Sequence, residues 1–307
     1  MAPDANPHQA TVADGTPDPE TEAAGGGLVD WAYVLHQLRS SPLTIVGLSL
    51  ITLVLFTMAA APWIAPYDPN RIDLTSRLAP PSLKHWMGTD QIGRDLFSRI
   101  IWGSRVSVSI GFAIVGISML IGTVTGAFSG LVGGRTDSII MRFMDVLLSF
   151  PSFVMAMALA AALGPDLINA MLAIAVVRIP FYVRLARGQA LSLRERPYVK
   201  AAVTFGATRM QIVRRHVVPN AMAPIIVQST LDIGSAILTA AALSFIGLGA
   251  QPPTAEWGAM VSAGRDYLLD QWWYATFPGL AILLTAVGFN LLGDGLRDIL
   301  DPKLRAR

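Results

Sequence analysis

Residues 197–220 read PYVKAAVTFGATRMQIVRRHVVPN and form a basic, polar stretch between two apolar segments. Pro197 suits the first position of a short helix, and Gly206 suits the residue just past its end. Thr208 can cap a second helix that stops before Pro219. The pattern predicts a compact helix-turn-helix whose paired alanines let another protein approach closely. The donors of the second helix are Arg209, Arg214 and Arg215. An ordinary loop between two spans is the alternative.

The composition indicates a membrane protein with several spans. The chain has 307 residues, of which 53% are hydrophobic and 14% charged, and its mean hydropathy is +0.51. The apolar residues fall in long uncharged blocks rather than in periodic stripes, which favours spanning helices over a water-soluble core. The net charge of +2 says little, because in such a protein the position of charges matters more than their sum. The absence of cysteine excludes a disulfide framework, a thiolate metal site and a thiol nucleophile.

Six apolar blocks are long enough to cross a bilayer, which takes about 20 residues as a helix. The second block carries seven glycines, so it can tilt and pack closely against its neighbours. The blocks lie at residues 43–61, 106–134, about 139–163, about 167–186, about 222–250 and 274–293. The sequence therefore predicts an all-α polytopic membrane protein with six transmembrane helices and both termini on one side.

The distribution of Lys and Arg orients these spans. With both termini inside, the inner regions hold 14 Lys and Arg and the outer regions hold 6. Positive residues concentrate on the cytoplasmic side, so the count favours cytoplasmic termini. Tryptophan favours the same orientation, because all but Trp31 fall at the outer boundary: Trp63, Trp86, Trp102, Trp257, Trp272 and Trp273. Residues 197–220 then face the cytoplasm.

Residues 1–40 are predicted to be a disordered cytoplasmic tail followed by an interfacial segment. The tail is rich in Ala, Pro, Gly, Thr and acidic residues, with no basic residue before Arg39. A signal peptide needs a positive region followed by an apolar run, and this stretch has neither. Trp31 to Arg39 are predicted to form a short interfacial helix. The first transmembrane helix is assigned to 41–66, an external loop to 67–104, and a five-helix core, with cytoplasmic loop 188–221, to 105–307.

The external loop has an apolar pattern of its own. Between Asp90 and Trp102, apolar residues recur at helical spacing while charged residues fall elsewhere. The apolar residues are Ile92, Leu96, Phe97, Ile100 and Ile101, and the charged ones are Arg94, Asp95 and Arg99. The pattern predicts an amphipathic helix on a membrane surface. A solvated interfacial helix is the alternative.

Two oppositely charged residues lie deep inside predicted spans. Arg178 falls in the fourth block and Asp232 in the fifth, each roughly 14 Å deep at 1.5 Å per residue. Ionisable groups at such depth are costly, usually face the interior of the bundle or water, and are functional candidates. The two could form a structural ion pair, or they could line the path of a solute.

The sequence contains no pattern of a catalytic or metal-binding centre. It lacks G-x-x-x-x-G-K-[ST], H-E-x-x-H and G-x-S-x-G, so it cannot hydrolyse ATP through a phosphate loop and must take energy from a partner. The histidines are scattered, and no metal site is predicted: His8, His36, His85 and His216. A secondary transporter should show inverted repeats, and none is found. A membrane-embedded enzyme should hold a nucleophile and a base, or metal ligands, at the same depth in the membrane. The residues found at matched depth are Arg178 and Asp232, and this pair makes a poor catalyst.

Residues 200–219 resemble the coupling loop of bacterial ABC-transporter permeases, written E-A-A-x-x-x-G-x9-I-x-L-P. The chain has the two alanines, the glycine and the proline at the family's spacing. It departs from the pattern at Lys200, His216 and Val218, which replace Glu, Ile and Leu. The resemblance implies that this loop contacts an ATP-binding subunit, without the carboxylate that the family has at position 200. The implied contact residues are Lys200, Ala201, Ala202, Gly206, Arg209, Arg214, Arg215, His216 and Pro219.

Three further stretches closely resemble the dipeptide/oligopeptide/nickel permease family. They read GTDQIGRD (88–95) with SR (98–99) and GSR (103–105), LSFIGLG (243–249) with QPP (251–253) and WG (257–258), and NLLGDGLRD (290–298) with LDP (300–302). With the coupling loop they make four separated matches. The resemblance implies the permease fold of type I ABC importers, in the inner (plasma) membrane of a bacterium.

The same resemblance implies the rest of a transport machine. The partners are a sister permease, expected to form a heterodimer, two ATP-binding subunits, an extracytoplasmic solute-binding protein and membrane lipid, with no nucleic acid. No cofactor is expected in this chain, since ATP and magnesium would bind in the partner subunits. Di- and oligopeptides are the expected solutes, and relatives also carry nickel complexes, glutathione, opines and saccharides. The residues implied to face the binding protein are Gly88, Asp90, Gly93, Arg94, Asp95 and Trp257.

Overall fold

The computed structural model describes residues 41–300. Within that range it contains helices, turns and loops, and its extended pairing is limited to an isolated bridge between Thr89 and Asp95. The all-α prediction is confirmed. The predicted tail and interfacial helix at 1–40, and the Asp301-Pro302 pair, lie outside the described residues.

Ten α-helices make up the described part of the chain. They are α1 (Pro42–Ile64), α2 (Leu96–Val132), α3 (Gly134–Leu148), α4 (Ser152–Leu163), α5 (Leu167–Arg194), α6 (Pro197–Thr204), α7 (Arg209–Ile212), α8 (Val218–Phe245), α9 (Trp257–Gly264) and α10 (Trp273–Leu300). Short 3₁₀ turns lie at Leu74–Ser76 and Arg265–Tyr267, and a π-helical turn at Val213–Val217 joins α7 to α8.

Five helices are long and apolar enough to cross a membrane: α1, α2, α5, the joined α7 and α8, and α10. The pair α3 and α4 makes a sixth span when taken together, and it is bent by 88°. These spans confirm a multi-pass membrane protein. The prediction of an unbroken third span at 139–163 is wrong. Pro151 disfavours helical geometry at Phe150 and lacks the N–H of an interior helical residue, so the helix breaks there.

The centre of the bundle is the close contact between α2 and α5. Gly122, Gly126 and Gly130 lie one turn apart on α2 and face the backbone of α5; a Cβ atom at Gly126 would lie 2.2 Å from the carbonyl oxygen of Val183. Apolar side chains gain little by leaving lipid for protein, so helices in a membrane associate largely through such close packing. The predicted close packing of the glycine-rich second block is confirmed.

The predicted surface helix at Asp90–Trp102 is wrong. Residues 90–95 form turns, and α2 begins at Leu96 and runs unbroken to Val132. Its first apolar residues, Leu96 and Ile100, pack in a buried cluster with Trp257 of α9 rather than against lipid. The amphipathic pattern was real, but the protein itself covers the apolar face.

Candidate functional site

Candidate functional residues lie in three places along the bundle. The 65–95 end contains residues 65–95 and 246–272, and the 195–217 end contains α6, α7 and the π-helical turn. Between them, Arg178 and Asp232 lie on α5 and α8.

At the 195–217 end, local sequence signals determine the two short helices. Pro197 occupies the first turn of α6, and Gly206 follows that helix with a φ of +81°, in the left-handed region that favours glycine. The amide of Ala207 donates to the carbonyl of Ala202 at 3.0 Å, which closes the end of the helix. Thr208 caps α7 in a capping box with Gln211. The predicted helix-turn-helix geometry is confirmed at these positions.

The predicted stop before Pro219 is wrong, because α7 continues through the π-helical turn into α8. Proline cannot donate a backbone hydrogen bond and clashes with the carbonyl four residues before it. The wider π turn accommodates this, and Val218 donates to the carbonyl of Val213. The side-chain amide of Asn220 donates to the carbonyl of His216 at 2.6 Å. The chain from Arg209 to Phe245 is therefore one continuous helix.

The surface of the 195–217 end combines exposed apolar and basic side chains. Its underside, including Val199, Ile212 and Val217, is buried against α2 and α5. Phe205 is 89% exposed at the tip of the turn. The other exposed residues include Tyr198, Lys200, Ala201, Val203, Arg209, Met210, Arg214, Arg215 and Pro219, while Ala202 and His216 are partly buried. Exposed apolar groups held together on a fixed element are typical of a protein-binding surface.

Lys200 forms an ion pair within its own chain. Its Nζ lies 3.1 Å from Oε2 of Glu195, and both side chains are mostly exposed. The hydrogen bond from Lys200, with the attraction of its positive charge, holds the pKa of the Glu195 carboxyl below its usual value. The position where the coupling-loop pattern has Glu is therefore occupied by a cation that has an acidic partner five residues earlier in the chain.

At the 65–95 end, a buried carboxylate organises the loop before α2. Asp90 accepts hydrogen bonds from the amides of Ile92 (3.0 Å) and Arg94 (2.9 Å) and from Nε of Arg94 (2.6 Å). Nε of Arg99 lies 3.9 Å from the same carboxylate. Gly93 has a φ of +78°, and a Cβ atom there would lie 1.8 Å from the carbonyl oxygen of Asp73. The GTDQIGRD stretch thus folds as a turn around the Asp90 carboxylate and packs against the backbone at Asp73.

Three further predicted residues tie this turn to the helices. Asp95 caps α2 through the amide of Ser98 at 2.8 Å and lies 2.9 Å from Nδ1 of His85. Trp257 donates from its indole Nε1 to the carbonyl of Ile100 at 2.9 Å. Gly88, with a φ of +76°, approaches the ring of Trp273.

The residues expected to face a binding protein are therefore mostly interior to this chain. Asp90, Gly93, Asp95 and Trp257 are buried, and Arg94 is only slightly exposed. Their contacts hold together the 65–95 end. The exposed apolar side chains at this end include Ile72, Leu74, Leu83, Trp86, Leu269 and Trp272.

Sequence reasoning missed Glu256, a buried carboxylate that connects α9 to α2. It accepts from the amides of Gly258 (3.0 Å) and Ala259 (2.8 Å) and so caps α9. The hydroxyl of Ser107 on α2 donates to it at 3.2 Å. An acidic residue directly before the Trp257-Gly258 pair is a capping signal that could have identified it.

Inside the bundle, the structure brings Arg178 and Asp232 together. Nη1 of Arg178 donates to Oδ1 of Asp232. Nη2 of Arg178 also donates to the hydroxyls of Ser235 and Thr239, each at 3.1 Å. The hydroxyl of Tyr182 donates to Oδ2 of Asp232 at 3.0 Å. The sequence indicated the pair by its depth, but these three hydroxyl partners were not predicted.

The Arg178 and Asp232 pair lines a cavity of about 420 Å³. The cavity lies between α5, α8 and the bend that joins α3 to α4, so the break in the third span borders it. Its lining combines apolar and polar side chains. The lining residues are Leu148, Ser152, Phe153, Ala156, Ile174, Val177, Arg178, Phe181, Gln228, Asp232, Ser235 and Thr239. Among residues 41–300, no group of three or more His, Cys, Asp or Glu side chains is placed to hold a metal ion.

Comparison with known proteins places these features in a family. The model of the binding-protein-dependent transport system inner membrane component matches residues 122–306. The model of the N-terminal TM domain of oligopeptide transport permease C matches residues 30–81. Together the two matches cover most of the chain.

Named relatives are similar over nearly their whole length. The chain is 62% identical to the probable D,D-dipeptide transport system permease protein DdpC of Escherichia coli (strain K12), over 89% of this chain and 91% of that protein. It is 48% identical to the di/tripeptide transport system permease protein DppC of Pseudomonas aeruginosa (strain UCBPP-PA14), over 84% of this chain and 88% of that protein. It is 42% identical to the glutathione transport system permease protein GsiD of Escherichia coli O6:K15:H31 (strain 536 / UPEC), over 90% of this chain and 91% of that protein.

Proposed function

This chain belongs to the family of inner membrane components of binding-protein-dependent transport systems, and we propose that it is one permease subunit of an ATP-driven importer of di- and oligopeptides. The observation that carries the proposal is the fixed apolar and basic surface of the 195–217 end, attached without a loop to a helix that crosses the bundle. A sister permease completes the pore, as a heterodimer.

An ATP-binding subunit docks on the 195–217 end. The exposed Phe205 supplies an apolar anchor, and Arg209 and Arg214 supply donors around it. The underside of this surface packs on α2 and α5, so a partner that moves it also moves the spans. This chain lacks a phosphate loop, and ATP and magnesium bind in two partner subunits.

An extracytoplasmic binding protein delivers the solute at the 65–95 end. The exposed residues there, such as Leu83 and Trp86, form the contact surface, and the buried Asp90 and Asp95 determine its shape. The excess of Lys and Arg at the 195–217 end supports a cytoplasmic location for it, and for both termini.

A labelling experiment tests this orientation. Single cysteines at Leu83 and at Arg209, both exposed positions, are introduced into this cysteine-free chain. In intact spheroplasts, a membrane-impermeant thiol reagent should modify the cysteine at position 83 and spare the one at position 209. The opposite labelling pattern would invert the topology and remove the basis for the ATPase contact.

Small peptides are the solutes that the relatives support best. Their names specify D,D-dipeptides, di- and tripeptides, and glutathione. Nickel complexes, opines and saccharides are the alternative solutes within the same importer class. The binding protein makes the first selection among them.

The coupling role is tested at Gly206. A β-branched residue at a φ of +81° is strained by about 1–2 kcal/mol, although no atom lies within 4 Å of the place its Cβ would take. In liposomes that contain the whole importer, Gly206→Val should lower solute uptake and the ATP hydrolysis that the loaded binding protein stimulates, while the chain still inserts in the membrane. Gly206→Asn should retain both activities, because asparagine tolerates the left-handed conformation.

A second control separates the docking turn from turns in general. Gly134 has a φ of +60° and likewise has no neighbour within 4 Å of an added Cβ atom. Gly134→Val should leave the ratio of uptake to ATP hydrolysis unchanged. Normal uptake and normal stimulated ATP hydrolysis in Gly206→Val would refute the docking role.

A further inference from the structure

The Arg178 and Asp232 pair has features that a purely structural ion pair does not need. The two side chains are 16% and 12% exposed, and they face a cavity large enough for a small ligand. The α3–α4 bend forms part of its wall. Irregular backbone at membrane depth is tolerated where it is buried in protein or lines a water-filled cavity. The broken span and the charged pair therefore indicate the same internal space.

Each charge of the pair also has a second partner, which it would keep if the pair opened. Arg178 would keep the hydroxyls of Ser235 and Thr239 on Nη2, and Asp232 would keep the hydroxyl of Tyr182 on Oδ2. A buried charge that loses its only partner is strongly destabilised. With these second partners, neither charge is left without a hydrogen bond when the pair separates.

The arginine also has donor capacity that the protein leaves unused. Nε of Arg178 is buried and has no hydrogen-bond partner among the described residues. A guanidinium presents its donors as a planar fork that matches a carboxylate in two parallel bonds. A carboxylate that takes the place of Asp232 at Nη1 can use this fork once the arginine side chain turns, because Nε is closed off from the cavity in the present conformation.

We propose that Arg178 and Asp232 form a solute-binding subsite that takes the two charged ends of a zwitterionic peptide, the carboxylate on Arg178 and the ammonium on Asp232. This proposal rests on the proposed import function and specifies a site for it. The ion pair separates when the peptide offers each residue a new counter-charge. A solute with free amino and carboxyl ends does this, because its carboxylate can bind Arg178 and its ammonium group can bind Asp232. A solute with one charged end leaves one residue of the pair without a counter-charge.

The apolar wall accounts for the breadth of such a site. Phe153, Ile174 and Phe181 are apolar residues of the cavity lining. Side chains of different peptides can contact these residues without a requirement for specific hydrogen bonds. The fixed contacts are thus made to the groups that all unmodified peptides share.

The test uses the complete importer in liposomes, with ATP inside and the binding protein outside. The probe is labelled alanyl-alanine, in its L,L and D,D forms. The variant is Arg178→Met/Asp232→Asn, which removes both charges and leaves Tyr182 an acceptor. Replacing a buried ion pair as a whole is often close to neutral for folding. The matched control is Arg184→Met/Asp145→Asn, which removes an ion pair between α5 and α3 whose side chains are 50% and 54% exposed.

The double variant at Arg178 and Asp232 should fold and keep its ATP hydrolysis stimulated by the loaded binding protein. Its uptake of the probe should fall about ten- to a hundredfold, the range that corresponds to the loss of hydrogen bonds to a charged group. The control should match the unmodified importer in both measurements. Unchanged uptake in the double variant would reduce the pair to a structural role. An equal fall in uptake and ATP hydrolysis would assign it to coupling and overturn the proposal.

A second variant decides the question if the double variant does not fold. Arg178→Lys keeps the positive charge beside Asp232 but loses the planar fork. It should lower uptake while stimulated ATP hydrolysis stays intact, and normal uptake in this variant contradicts the subsite. Failure of the unmodified importer to accumulate either probe with ATP would instead count against the proposed peptide substrate.

Discussion

Replacement of Asp90 by alanine should destabilise the 65–95 end more than any exposed charge change. The carboxylate accepts two backbone amides and Nε of Arg94, and it lies near Arg99. Both guanidinium side chains are nearly buried, at 11% and 4% exposure. Asp90→Ala leaves them beside each other without the negative charge between them.

The structure indicates the size of the effect. Removal of one partner of a buried ion pair costs about 3–5 kcal/mol. Arg94 lies closer to solvent and can recover part of this by turning outward. Arg99 cannot, since it is held by the carbonyl of Pro69 at 2.9 Å. Arg94→Met added to Asp90→Ala should restore part of the lost stability, because one unpaired cation is then gone.

The assay is denaturant and thermal unfolding of the purified permease in detergent. The matched control is Asp166→Ala, which removes an exposed carboxylate that caps α5 through the amide of Ile168 at 2.8 Å. Loss of such a cap costs about 0.5–2 kcal/mol. If Asp90→Ala costs no more than Asp166→Ala, the buried charge does not organise this end of the bundle and the reasoning is refuted.

Two further outcomes are expected. Gly126→Ala should destabilise the chain by about 1–3 kcal/mol, because its Cβ would lie 2.2 Å from the carbonyl oxygen of Val183. The control is Gly116→Ala, where no atom lies within 4 Å of the added Cβ. It should be neutral or stabilising in the same unfolding assay. Lys200→Met should raise the pKa of Glu195 toward the usual value of a glutamate. In the unmodified chain the lowered pKa contributes stability that is present above pH 4.5 and is lost as the pH falls through the folded-state pKa. NMR titration of the Glu195 carboxyl carbon should show the shift. Identical titration curves for the unmodified chain and Lys200→Met would contradict it.

Local signals were the most reliable part of the sequence. Pro197, Gly206 and Thr208 each determine backbone geometry within one turn of themselves, and the structure has all three in the predicted roles. The long apolar blocks were equally informative, because composition alone decides whether a helix can cross a bilayer. Both kinds of signal depend on neighbouring residues and on the solvent, not on the tertiary fold.

The errors came where tertiary contacts decide between two readings of one pattern. Leu96 and Ile100 have the spacing of a surface helix, and the same spacing suits the first turns of a span covered by α9. The proline in the middle of 139–163 broke its helix, and Pro219 did not, since a π-helical turn absorbs it. A single sequence does not specify which accommodation occurs.

In the candidate sites, too, the sequence predicted some features, and others depended on tertiary contacts. The depth of Arg178 and Asp232 indicated their pairing, because two unlike charges at one level of a membrane have few other partners. The hydroxyls of Tyr182, Ser235 and Thr239 were not predictable, since hydroxyls are common in spans and often bond to their own helix. Likewise, the sequence marked Asp90 as functional, and only the structure places its carboxylate inside the chain.

The continuity of α7 and α8 changes how the proposed importer would transmit force. Arg209 and Asp232 lie on one continuous helix, about 35 Å apart along its axis at 1.5 Å per residue. A loop between them would absorb a movement of the docking surface, whereas a continuous helix can transmit the movement to the pair of Arg178 and Asp232. Lys200 is paired with Glu195 of its own chain, so its charge already has a counter-charge without a partner protein. In the proposed importer, coupling would therefore depend on the shape of the turn at Gly206 and on the continuity of the helix after it, rather than on the charge at position 200.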